Sequence, residues 1–139
     1  MIAQPDINQA WTTPAPARAA AYDLLADAIP GLTELIVDYR VDADFLDEDL
    51  YELFCDQMQQ SLAQLHASIL GAEEAVTRNL AHSLEGMGGT MGFPEVSVAA
   101  AAISRAARAH DWDRCRLLQE RLHQWHQVAE ASTGGTKHE

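Results

Sequence analysis

Long apolar runs are missing from this chain. Nothing in its 139 residues approaches the ~20 consecutive apolar residues of a membrane-spanning helix, so no membrane span is expected. Positive charge is scarce: 9 Lys and Arg stand against 21 Asp and Glu, a net charge of −12. Such a chain repels nucleic acid and anionic lipid, which leaves proteins as the expected partners, with a basic docking face on their side. Aromatics make up 6% of the residues, and Val and Ile are sparse too, which removes the usual strand formers. Cysteine is reduced to Cys55 and Cys115. Each lies inside a helical pattern without metal-ligand spacing and reads as a buried free thiol. The opening MIAQPDINQAW has neither the basic nor the apolar region of a signal peptide, so a cytoplasmic protein is expected. No kinase or P-loop glycine pattern is present.

What is present is alanine and leucine, within a hydrophobic content of 47%. That content is globular, those residues favour helix, and the length suits one domain with a single core. Residues 1–16, with Pro5, Pro14 and Pro16, read as a loose arm. Residues 17–29 predict a short helix with Ala21, Leu24, Leu25 and Ala28 on one face, interrupted by Pro30-Gly31. Another short helix is expected from Thr33 to Tyr39, followed by an acidic turn from Asp42 to Asp49.

Four stronger patterns follow. The first runs from Asp47 to Leu70, with Leu50, Phe54, Met58, Ser61, Leu65 and Ile69 at spacings of three and four, and is punctuated by Gly71. The second runs from Ala72 to Met91, with Gly92 just beyond its end. The third, Pro94 to Ala109, begins on a proline suited to a first helical turn. It is rich in alanine, which permits close helix approach. The fourth is capped by Asp111 and repeats Cys115, Leu118, Leu122, Trp125 and Ala129. Residues 132–139 read as a disordered tail. Short connections predict an all-α, antiparallel up-down four-helix bundle over residues 17–131, with short additional N-terminal helices.

The second helix holds the informative residues. On a wheel of about 100° per residue, Val76, Leu80, Leu84, Met87 and Met91 share the side expected to face the core. His82 falls nearly opposite, with Ala75, Arg78, Glu85, Gly86 and Gly89 on its outer side. Gly86, Gly88 and Gly89 each cost about 1 kcal/mol relative to alanine within a helix. Gly88 lies on the flank where a neighbouring helix packs. Gly86 and Gly89 are expected to point outward, as a bare floor for a partner that approaches the imidazole closely.

The run Ala81-His82-Ser83-Leu84-Glu85-Gly86-Met87-Gly88-Gly89-Thr90-Met91-Gly92-Phe93 resembles the motif of the histidine phosphotransfer (HPt) domain, His-x-Leu-Lys-Gly followed by small residues and a further glycine. It is similar also to the phosphotransfer domain of chemotaxis kinases, where a Gly-Phe pair often follows. The resemblance extends over roughly Leu50 to Val128. It implies a four-helix bundle with His82 as phospho-acceptor. The implied role is a phosphohistidine carrier in a two-component phosphorelay rather than a self-sufficient enzyme. The implied partners are a response-regulator receiver domain, a hybrid sensor histidine kinase, or both. No cofactor is intrinsic to such a carrier; Mg²⁺ belongs to the partner receiver. A monomer is expected.

One position departs from the family pattern. Glu85 stands where the family carries lysine, and a carboxylate beside a phosphoryl group costs on the order of 1 kcal/mol in water. Arg78, one turn before His82, offers a cation there, or else pairs with Glu74 at i−4. Glu85 keeps a second reading open, in which the domain docks a receiver or kinase without phosphotransfer. A metal site is the remaining alternative. Its only support is Glu120, His123 and His126, spaced by three, which is one Glu-x-x-His motif where di-iron bundles need two.

Overall fold

A computed structural model describes residues 15–36, 48–90 and 93–137. The described residues form six helices: α1 (Ala15–Ala26), α2 (Leu32–Leu35), α3 (Glu48–Leu70), α4 (Glu74–Thr90), α5 (Pro94–Arg108) and α6 (Trp112–Lys137). No strand occurs among the described residues. The expected acidic turn and the C-terminal part of the second short helix fall mostly on residues 37–47, outside the described residues. So do the N-terminal arm up to residue 14, Met91 and Gly92. The last helix runs on to Lys137, through residues read from sequence as tail.

The helix stops are backbone devices. The Phe93 N–H returns to the Gly88 carbonyl at 2.8 Å, the Glu73 N–H to Ser68 at 2.9 Å, and the Asp111 N–H to Ala106 at 2.8 Å. These are the long-range bonds of Schellman-type endings. At the end of α3 the left-handed residue is Ala72 (φ 52°), not Gly71. At the end of α5 it is His110 (φ 58°). Asp111 caps α6 as expected: its Oδ1 accepts the Arg114 N–H at 3.2 Å.

Hydrogen bonds between helices establish their directions. Ser68 and Thr77 share a buried hydroxyl contact of 2.7 Å between α3 and α4. The Ser97 hydroxyl donates to the Glu85 carbonyl between α5 and α4. Trp125 Nε1 donates to Glu95 at 3.2 Å, and the Cys115 thiol lies 3.7 Å from the Ile103 carbonyl. Both of these tie α6 to α5. On the remaining side, Gln119 donates to Leu62 O at 3.2 Å and His126 Nε2 lies 3.0 Å from Cys55 O. The two α5–α6 bonds and the two α3–α6 bonds pair residue numbers in opposite senses, so α6 runs antiparallel to both neighbours, and α4, packed against α3 and α5, closes the ring. The α1–α2 segment lies against α6 and touches α5. Arg121 donates to the Leu24 carbonyl at 2.9 Å and pairs with Asp27 at 2.9 Å.

Inside the ring, Phe54, Met58, Leu62, Leu65 and Ile69 of α3 meet Val96, Ala99, Ala100 and Ile103 of α5 and Cys115, Leu118, Leu122, Trp125 and Ala129 of α6. The α6 stripe is the expected one. On α3, Leu62 is buried and Ser61 is only half-buried. One end of the core is aromatic: Phe54 stacks on Phe93 at 5.3 Å, and Trp125 meets Phe93 edge-on at 5.0 Å.

The largest correction concerns the buried face of α4. Thr77, Ala81, Leu84 and Gly88 are buried, Leu80 and Met87 are half-buried, and Val76 is 46% exposed. The core direction is thus rotated by roughly 70° from the apolar stripe, toward α5. The reason is steric. A Cβ on Gly88 would come within 2.9 Å of Val96 Cβ and 3.0 Å of the Ser97 backbone nitrogen. Small residues on both helices let the backbones approach, and that approach decides which face is covered.

Candidate functional site

His82 lies in the middle of α4, and its side chain is 88% exposed. On the helix it falls away from the buried Thr77, Ala81, Leu84 and Gly88 stripe, because the family of positions that packs on α3 and α5 leaves this side uncovered. Ser83 and Gly86 are exposed beside it. A Cβ on Gly86 would meet nothing within 4 Å, so that glycine, one turn beyond His82, has no packing reason within the molecule.

Gly89 does not share this property. It is buried, and a Cβ there would lie 3.3 Å from Ser97 Oγ. The expectation that it points outward is overturned: α5 occupies that flank, and Gly89 makes room for the Ser97 hydroxyl. Gly88 and Gly89 are therefore packing glycines, and Gly86 alone of the three is open to an approaching partner.

Arg78 is turned toward the start of its own helix, with Nη1 3.4 Å from Glu74 Oε2. The i−4 pair is the alternative realised. His110 approaches the same carboxylate, its Nε2 2.8 Å from Glu74 Oε1, and its ring stacks on Trp112. The hydrogen bond from His110 and the two neighbouring cations hold the Glu74 carboxyl below its ordinary range, against a smaller opposing effect of desolvation.

Glu85 is three residues beyond His82 and 29% exposed. Its Oε1 lies 4.0 Å from His82 Nδ1. Its backbone carbonyl is the one that accepts the Ser97 hydroxyl. Sequence reasoning missed Ser97, because a serine within an alanine-rich helix carries no signal until its partner helix is in place. It missed the buried Glu95 and its bond to Trp125 for the same reason.

Among the described residues no three His, Cys, Asp or Glu side chains are grouped as a metal ion requires. Glu120 and His123 are exposed, whereas His126 is buried against Cys55. An open groove of about 410 Å³ between α1 and α6, lined by Asp23, Asp27, Arg121 and Gln124 among others, involves no residue of α4. No described helix is long and apolar enough to cross a membrane.

Chemically, the site is a single exposed nucleophile on a rigid helix. An imidazole nitrogen that carries no proton has a lone pair free for nucleophilic attack. Phosphoryl transfer additionally needs in-line positioning and neutralisation of phosphoryl charge; among the described residues the Glu85 carboxylate stands beside His82, and Arg78 is turned to Glu74. No curated protein and no solved structure matches the chain. The Hpt domain family model matches residues 49–130, which span more than half of the chain, take in α4 and α5 whole and cover most of α3 and α6. The chain belongs to the Hpt domain family, whose members are histidine phosphotransfer carriers of phosphorelays.

Proposed function

We propose that this protein accepts a phosphoryl group on His82 and exchanges it with the aspartate of a response-regulator receiver domain. The observation that carries this reading is the combination of one exposed imidazole with the bare Gly86 one turn away, within the matched family region. The receiver provides Mg²⁺ and the charge-neutralising groups, so the carrier needs only a presented nucleophile. The net charge of −12 directs it toward a basic face on that partner.

The test is transfer from a phosphorylated receiver in the presence of Mg²⁺. Acid-labile phosphate should appear on the native protein and be absent from His82→Gln, whose fold should be intact because the side chain is exposed. Label persisting in His82→Gln would move the site elsewhere. Glu85 favours one second reading, a domain that docks a receiver or kinase without transfer, because its carboxylate stands 4.0 Å from the imidazole. Receiver binding without any phosphate on His82 is the result that would select it.

A further inference from the structure

The geometry points to Glu85 as a positioning residue that holds the His82 imidazole with its proton on Nδ1 and its lone pair on Nε2, an inference that rests on the phospho-acceptor reading above. Three observations support it. First, the carboxylate faces one particular ring nitrogen, Nδ1, at 4.0 Å. A negative charge on that side favours the tautomer that places N–H there and leaves Nε2 as the free nucleophile. Second, the backbone of Glu85 is anchored. The buried Ser97 hydroxyl donates to its carbonyl across the α4–α5 contact. Third, the glycines make this anchor possible: Gly88 admits the Ser97 backbone, and Gly89 leaves space for the Ser97 hydroxyl. The carboxylate is thus carried by a fixed segment one helical turn from the ring. A tight helix contact, rather than a partner, explains two of the three glycines.

The arrangement also changes the meaning of a carboxylate at this position. In the transfer step, the Nε2 lone pair attacks the phosphorus of an aspartyl phosphate. An N–P bond forms as the P–O bond to the aspartate breaks, and that electron pair leaves with the aspartate as its carboxylate. The proton on Nδ1 stays, so the ring acquires formal positive charge while it carries the phosphoryl group. Glu85 faces that charge directly. The phosphoryl oxygens sit on the opposite side of the ring, farther from the carboxylate and better screened. Attraction to the ring therefore offsets repulsion of the phosphoryl group, and Glu85 need not silence the domain.

The test is nitrogen-15 NMR of the His82 ring in the full chain at about pH 8, where an ordinary imidazole is neutral. Native protein, Glu85→Gln and Glu85→Lys are compared. The native ring should carry its proton mainly on Nδ1. Losing the charge should lower the ratio of Nδ1–H to Nε2–H forms roughly threefold, as expected for one charge near 4 Å in a watery setting, and reversing it should lower the ratio further. The initial rate of transfer from a phosphorylated receiver should follow the same order. A tautomer ratio equal in all three proteins overturns the inference, whether or not His82 is phosphorylated. A graded ratio in a protein that no receiver phosphorylates supports the coupling of Glu85 to the ring and counts against the relay reading instead.

Discussion

At the scale of single residues, charge and burial assign different tasks to groups that look alike in sequence. Glu74 and Glu85 are both carboxylates on α4. Glu74 is held below the ordinary carboxyl range by the His110 hydrogen bond, with Arg78 adding to the effect. A carboxyl with a depressed folded-state pKa stabilises the fold above the ordinary carboxyl range and loses that contribution as pH falls through its folded value. Glu74→Gln should therefore lower the urea midpoint near neutrality, and the gap to the native protein should close as the pH falls below the folded-state value of this carboxyl. A gap that persists in acid would mean that packing, not charge, holds this corner. The two thiols are equally distinguishable from surface groups. Cys55 and Cys115 are buried, and burial pushes the Cys115 thiol up to about 11, with Asp111 adding to the effect. Neither should react with a disulfide reagent until the protein unfolds; a rapid reaction of one equivalent in the native state would contradict the core described here.

At the scale of elements, the α4–α5 hairpin is governed by backbone approach. Its three glycines should respond to alanine in opposite directions. Gly86→Ala meets nothing and should stabilise the fold by about 0.5–1 kcal/mol through helix propensity. Gly88→Ala drives a methyl into Val96 and the Ser97 backbone and should cost about 1–3 kcal/mol. Gly89→Ala, limited by one hydroxyl at 3.3 Å, should fall between them. Chemical denaturation of the series checks the order. The same geometry selects the docking probe: a leucine at position 89 enters the helix interface, so Gly86→Leu is the informative variant. It should weaken receiver binding without destabilising the bundle, and unchanged affinity would place the partner elsewhere.

At the scale of the whole molecule, the ring of four helices and the N-terminal segment are separable in role. Leu25, Ile29 and Leu32 are buried by α1–α2 on the far side of the ring from the exposed His82. Full burial of each such side chain contributes about 1.5–3 kcal/mol. Removing residues 1–36 should lower the unfolding midpoint substantially, yet phosphate transfer to His82 should survive at temperatures where the shortened chain remains folded. Loss of transfer in a folded truncated chain would show that the segment also shapes the α4 surface.

The alternation of apolar residues in α3 and α6, the alanine run of α5, the proline at its start and the punctuation between helices dictate an all-α chain of these elements. They do so because helix formation and amphipathic burial are local properties. The short connections then leave antiparallel neighbours as the economical arrangement. His82 was legible as an exposed residue because it lies off every apolar stripe one could draw on α4. The exact rotation of that helix was not legible. Val76 is more apolar than Thr77, yet Thr77 is buried, since its hydroxyl meets Ser68 and the glycines admit α5 on that flank. For the same reason Gly89 could not be separated from Gly86, nor Arg78 from the His82 surroundings, before Glu74, His110 and Ser97 were in place. Periodicity names the helices; which side of α4 is covered depends on how closely two backbones approach, and only the tertiary structure decides that.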